Sequence, residues 1–169
     1  YETFLTNKRL TTAPVGFPVD AGIIHPRLFD WQRDIVRWAL LQGRAALFEE
    51  CGLGKTLQQL EWARHVAAHT GGRVLILAPL AVAHQTIAEA RTIGLDVTYV
   101  RSQEQAESAG SVVITNYDML KAFDPAAFAG VVLDESSILK AFSGTIKKRL
   151  IEAFAATPYK LACKIGRAS

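Results

Sequence analysis

The sequence predicts an α/β domain, a three-layer sandwich in which helices cover both faces of a mostly parallel sheet. Three observations lead there. Runs that are apolar at every position, such as Val74 to Ala78, read as strands buried on both faces. Amphipathic stretches with a helical period lie between such runs. The two kinds of segment alternate along the chain, which is the pattern of strand–helix–strand units. Composition agrees, because 50% of the 169 residues are hydrophobic and 21% are charged, too apolar for a disordered chain. No apolar run approaches the ~20 residues of a membrane-spanning helix, and no export signal is visible, so a cytoplasmic setting is expected. Two cysteines, Cys51 and Cys163, are too few for a disulfide framework or a zinc site.

In chain order, residues 1–27 carry Pro14, Pro18 and Pro26 without a sustained period and read as an extended arm, and residues 28–169 as the domain. Leu28, Trp31, Ile35 and Trp38 recur at helical spacing, so a helix is expected over 28–41, closed by Gly43. Strand-like Ala45 to Phe48 leads into a glycine-rich turn, then a helix from Lys55 to about His69 that ends at Gly71 and Gly72. The strand Val74 to Ala78, a helix from about Val82 to Arg91, and a short strand Asp96 to Val100 follow. Arg101 to Gly110 reads as a surface loop with a helical turn, and further strands are expected at Val112–Thr115, Val131–Asp134 and Tyr159–Cys163. The formal charge of +3 permits a polyanionic partner without requiring one. The basic cluster Lys140, Lys147, Lys148, Arg149, Lys160, Lys164 and Arg167 reads as a solvated helix face.

Two motifs carry chemistry. The first is EECGLGKT, Glu49 to Thr56, between a predicted strand and a predicted helix. Gly52 and Gly54 let the backbone turn and approach an anion where a Cβ would clash, and the helix start adds unpaired N–H groups and the positive end of its dipole. Lys55 can reach the β- and γ-phosphates of a nucleotide, and the Thr56 hydroxyl can ligate magnesium. The general phosphate-loop pattern has glycine where this chain has Glu49. The second motif is VVLDESS, Val131 to Ser137, which puts Asp134 and Glu135 at the C-terminal end of a buried strand, where open α/β sheets bind ligands. Asp134 is assigned to magnesium and Glu135 to the general base.

Together these segments resemble the N-terminal motor domain of superfamily-two helicases, a RecA-like phosphate-loop NTPase fold, and more narrowly the Swi/Snf-type DNA translocases and their phage-encoded relatives. That group has D-E-x-G-L-G-K-T where this chain has EECGLGKT, so Glu49 is close to the family's own residue. The resemblance implies that Gln32, in RLFDWQRDIVRWAL, reads adenine, and that Glu50, Cys51, Gly52, Leu53, Gly54, Lys55 and Thr56 form the nucleotide loop. It implies that LILAPLAVAHQ is motif Ia, with Pro79 and the residues after it near the DNA backbone. It further implies that VVITNYDML is motif Ib, with Thr115, Asn116 and Tyr117 near the tracked strand. The implied ligands are Mg2+, ATP and DNA, the last held with low sequence specificity.

Two departures stand out. Motif II usually reads D-E-A-H or D-E-A-D, and here Ser136 and Ser137 fill the last two places. After YKLAC the family continues with a T-A-T-P motif III, whereas this chain reads KIGRAS. The expectation is therefore a half-motor, without motif III or the second motor domain whose arginine finger completes the ATP site, that binds ATP and hydrolyses it weakly. Two other functions are weighed beside it. One is a degenerate, non-catalytic nucleotide-binding module; the other is a phosphate-loop phosphotransferase, for which no arginine-rich lid is seen. His65 and His69, four apart without a third ligand, read as a solvated helix face, and Trp31, Trp38 and Trp62 as core packing.

Overall fold

The computed structural model describes residues 13–49, 54–135 and 144–165. Residues 1–12 of the arm, Glu50, Cys51, Gly52 and Leu53 of the loop, Ser136, Ser137 and Lys140, and the tail from Gly166 to Ser169 with its Arg167 lie outside the described residues.

The elements are helix α1 (Asp30–Gln42), β1 (Arg44–Glu49), α2 (Lys55–Thr70), β2 (Arg73–Ala78), α3 (Leu80–Thr92) and β3 (Val97–Tyr99), then α4 (Gln103–Ser108), β4 (Val112–Asn116), β5 (Phe128–Leu133), α5 (Gly144–Ala153) and β6 (Tyr159–Ile165). The strands form one sheet in the order β1-β6-β5-β2-β4-β3, and every neighbouring pair is parallel. The mostly parallel sheet expected from sequence is parallel throughout. Parallel strands demand crossover connections, and these place α1, α2 and α3 on one face with α4 and α5 on the other. Strand β6 lies between β1, which ends at Glu49, and β5, which ends just before Asp134 and Glu135. The ends of β1 and β5 therefore share the C-terminal edge of the sheet. Among the described residues no helix is long and apolar enough to cross a membrane.

Three features go beyond the sequence reading. The described part of the arm packs against the end of α1. The N–H groups of Val15, Gly16 and Phe17 donate to the carbonyls of Gln42, Leu41 and Leu40 at 3.2, 3.0 and 3.0 Å. These are carbonyls that the C-terminus of α1 cannot pair within the helix. A Cβ on Gly16 would run into the Leu40 carbonyl, so only glycine permits this approach, and Phe17, Val19 and Ile24 then enter the core. Second, the buried face of α1 is Gln32, Val36, Ala39 and Leu40, rotated from the stripe that the tryptophans suggested. Trp31 and Trp38 are 42% and 48% exposed, while Trp62 on α2 is fully buried, so core packing holds for only one of the three. Third, Lys160 belongs to strand β6, not to a helix face, and its Nζ donates to the Ala155 carbonyl at 3.0 Å, whereas Lys148 and Arg149 are exposed on α5.

His65 departs from a solvated face, whereas His69 is exposed as expected. His69 stacks on Phe17 with ring centroids 3.8 Å apart. His65 Nε2 lies 2.8 Å from Oε1 of Glu61, a carboxylate with no exposed surface. Glu61 also accepts from the His25 N–H at 3.0 Å and from Arg64, whose Nε is 3.1 Å from Oε2. Burial alone would raise its pKa, but the bonds from His65, Arg64 and His25 outweigh it and hold the group at about 2 against an ordinary 4.5. This cluster ties the arm to α2 just before α1 begins.

Because the folded pKa is depressed, the Glu61 contribution is fully present above pH 4.5 and is lost as pH falls from there towards 2. Its size is on the order of 3 kcal/mol. Chemical denaturation across that range should show Glu61→Gln destabilised near neutrality and with a flattened acid limb; a variant whose curve tracks the wild type would refute the assignment.

Candidate functional site

The site is assembled at the C-terminal edge of the sheet from segments far apart in sequence. Gly54 caps α2 in the left-handed region, with φ +70°, and Lys55 is the first helical residue. From there the Lys55 amine crosses to the end of β5, where its Nζ lies 2.7 Å from Glu135 Oε1 and 3.3 Å from Asp134 Oδ1. Lys55 and Glu135 are 80 positions apart. Burial of the lysine would lower its pKa, but the hydrogen bond to Glu135 and the charges of Asp134 and Glu135 outweigh that and raise it. The amine therefore stays a cation.

Asp134 is fixed on every side that the structure shows. Its N–H donates to the Leu77 carbonyl at 2.8 Å, which continues the β2–β5 ladder by one residue. Its Oδ1 accepts from Gln59 Nε2 at 2.9 Å, and its carbonyl accepts from the Tyr117 hydroxyl at 2.6 Å. Only 2% of Asp134 is exposed. Glu135 then turns into the left-handed region with φ +53°. For a residue with a Cβ this conformation costs about 1–3 kcal/mol and persists only where surrounding contacts impose it. Gln32 is buried beside the loop. Its Oε1 accepts from the Phe29 N–H at 2.9 Å, and its amide nitrogen lies against Gly54 so closely that a Cβ there would collide with it.

Of the residues singled out in the sequence, Lys55, Asp134 and Glu135 are in direct contact, Gln32 abuts Gly54, and Thr56 follows Lys55 on α2, half-buried. Pro79 is half-buried at the end of β2, where it precedes α3. The three residues of the VVITNYDML segment are buried. Thr115 has no exposed surface, and Asn116 and Tyr117 are 9% and 8% exposed. Their side chains lie inside the domain because β4 is covered on both faces: Asn116 Oδ1 accepts from the Tyr99 hydroxyl at 2.8 Å, and Tyr117 turns in to Asp134.

Gln59 was missed from sequence. It lies one helical turn beyond Lys55, so the i, i+4 spacing on α2 would have found it. The inward role of Tyr117 was also missed, although strand alternation carries Val113, Thr115 and Tyr117 to one face.

No protein-family model matches the chain, and no curated protein does. Solved structures do. The UvsW helicase from bacteriophage T4 superposes with a TM-score of 0.69 at 16% identity, over 94% of this chain and 58% of that one. The Sulfolobus solfataricus SWI2/SNF2 ATPase core, solved in complex with dsDNA, gives 0.70 at 18% identity over 89% of this chain and 34% of that one. The Hef helicase domain from Pyrococcus furiosus gives 0.67 at 19% identity, over 90% of this chain and 36% of that one. The chain has the RecA-like fold of helicase ATPase cores. It spans between a third and three fifths of the length of these neighbours. Within that fold the helicase-core sheet brings the loop before α2 and the end of β5 to one edge, which is the geometry described above.

Gly54→Ala should lose about 1–3 kcal/mol, because it combines a left-handed φ with a clash against the Gln32 amide. Adding Gln32→Ala removes the clash but not the backbone cost. Denaturant titration of the single and double variants should show partial recovery, and strict additivity would mean that the two residues do not touch.

Proposed function

We propose that this chain is the ATP-binding motor domain of an ATP-dependent DNA helicase or translocase. One observation carries the reading: the Lys55 amine and the Asp134 and Glu135 carboxylates, far apart in sequence, meet within 3.3 Å at the edge of a parallel sheet. The set suits magnesium nucleotide. It has one cation and two carboxylates, and the Gln59 Oε1 is buried without a hydrogen-bond partner among the described residues. That orphaned acceptor beside Asp134 is what a water on a metal ion would satisfy.

In this reading Lys55 leaves the carboxylates and holds the β- and γ-phosphates, while Thr56 and Asp134 hold the metal. Bound magnesium supplies neutralisation of phosphate charge. Gln59 keeps Asp134 in place, and Gln32 recognises the adenine from its position against Gly54. Glu135 Oε orients the attacking water and takes its proton. Glu50, Cys51, Gly52 and Leu53 supply the rest of the nucleotide loop. The Sulfolobus neighbour was solved with dsDNA, and in this reading DNA would pass over the C-terminal end of β2, touched by Pro79 and the exposed Leu80 and His84 that follow it. Contact through phosphates makes affinity fall steeply with salt. A second motor domain would contribute an arginine finger, worth about 10³–10⁵ in turnover, so this chain alone hydrolyses slowly. We place it in the cytoplasm of a bacterial or phage-infected cell, where ATP and DNA meet.

Equilibrium binding of a fluorescent ATP analogue with magnesium tests the nucleotide site. Lys55→Ala should weaken it by about 10- to 100-fold, the loss of a hydrogen bond to a charged group. Glu135→Gln should leave binding within about twofold and slow phosphate release by roughly 10² or more. Equal binding by wild type and Lys55→Ala would sink the nucleotide reading. A protein that binds ATP but releases phosphate no faster than Glu135→Gln would be a non-catalytic module instead.

A further inference from the structure

Among the described residues Glu135 is the one non-glycine residue with positive φ. Something has to impose that conformation, and the peptide between Asp134 and Glu135 is one side of the bond about which φ of Glu135 turns, the other side being held through the Glu135 carboxylate by Lys55. The Asp134 N–H is engaged by the Leu77 carbonyl, and its carboxylate by Gln59 and Lys55, which fixes the residue up to its own carbonyl. The carbonyl is held by the Tyr117 hydroxyl at 2.6 Å, in a buried hydrogen bond. Turning the peptide would leave a buried phenol and a buried carbonyl to find new partners, a penalty that neither can avoid by reaching water. Tyr117 itself has little freedom. It is 8% exposed, packs in the apolar cluster with Leu75, Leu77 and Phe123, and follows Asn116, which the Tyr99 hydroxyl holds.

We propose that Tyr117 is a positioning residue for the general base. Its hydroxyl locks the 134–135 peptide so that Glu135 takes the left-handed conformation that holds its carboxylate at the mouth of the site, beside the Lys55 amine until nucleotide draws that amine away. This rests on the reading of Glu135 given above. With that peptide released, Glu135 relaxes to the ordinary negative φ, its Cβ swings to another side of the backbone, and the carboxylate leaves the amine. The residue that sequence placed beside DNA thus works from inside, and it anchors the ATP site to the tip of β4.

The test is Tyr117→Phe in the 169-residue chain, which removes one oxygen and keeps the ring. Four measurements are compared with wild type, Glu135→Gln and the double variant: circular dichroism, the dissociation constant for magnesium ATP, single-turnover phosphate release with protein in excess, and the NMR backbone couplings of Glu135, which report the sign of φ. The expected result is a folded protein that binds magnesium ATP within about twofold of wild type, with phosphate release slowed by about 10- to 100-fold, as for a misplaced catalytic group. The Glu135 couplings leave the left-handed range, and the double variant is no slower than Glu135→Gln. Unchanged couplings, or a further slowing in the Glu135→Gln background, would overturn the proposal, since the hydroxyl would then serve packing or another group. If wild type and Glu135→Gln release phosphate equally slowly, the base reading fails. The couplings then still decide whether Tyr117 sets the geometry of Glu135.

Discussion

A lysine between two carboxylates, at the mouth of a sheet, is the constraint around which the rest of this molecule is arranged. Each carboxylate near the end of β5 would be costly to bury without a counter-charge, and the amine of Lys55 would be costly without an anion. Each solves the problem of the other only if α2 begins within reach of the end of β5. The sheet order provides this. With β6 inserted between β1 and β5, helix α2 starts at the loop after β1 and runs back beneath β5, so its first turn presents Lys55 and its second Gln59 to the same aspartate. The raised pKa of Lys55 is the electrostatic trace of that meeting.

Support for this cluster comes from groups that are themselves tied down. On one face, Glu61 and its three partners anchor the segment around His25 to the middle of α2, and that segment leads directly into the turn that places Gln32 against Gly54. On the other face, Tyr117 connects the tip of β4 to the backbone of Asp134. Both supports are long-range contacts between buried polar groups. Such contacts cost more when broken than they contribute when made, which suits them to fixing one geometry instead of merely adding stability. The left-handed Glu135 shows that this geometry is imposed by its surroundings.

The chain order of strands and helices was legible in the sequence because each segment announces itself locally. Val74 to Ala78 is apolar throughout, and a strand buried on both faces has no polar position to offer. The turn at Gly54 and the helix from Lys55 were legible for the same reason, since a sharp turn from strand into helix favours a residue without a Cβ. Exposure was less legible. The tryptophan stripe of α1 looked like a core face, but the arm and α2 pack on Val36, Ala39 and Leu40 instead, leaving Trp31 and Trp38 half out. The burial of Thr115 and Asn116 was not legible either, because it depends on β2 and β3, which flank that strand, and on the covering helices that close over it.

Residue types, their spacing and the alternation of apolar strands with amphipathic helices determined the fold class, the elements and which charged residues stand at the start of α2 and the end of β5, because those are properties of neighbouring positions. What lay beyond them was decided in three dimensions: that β6 separates the two loop-bearing strands, that Gln59 and Tyr117 reach the same aspartate from opposite faces, and that Glu135 adopts a backbone conformation its own side chain disfavours. These depend on which surfaces meet across 17 to 80 positions of chain, and no local pattern encodes the partner of a buried hydrogen bond.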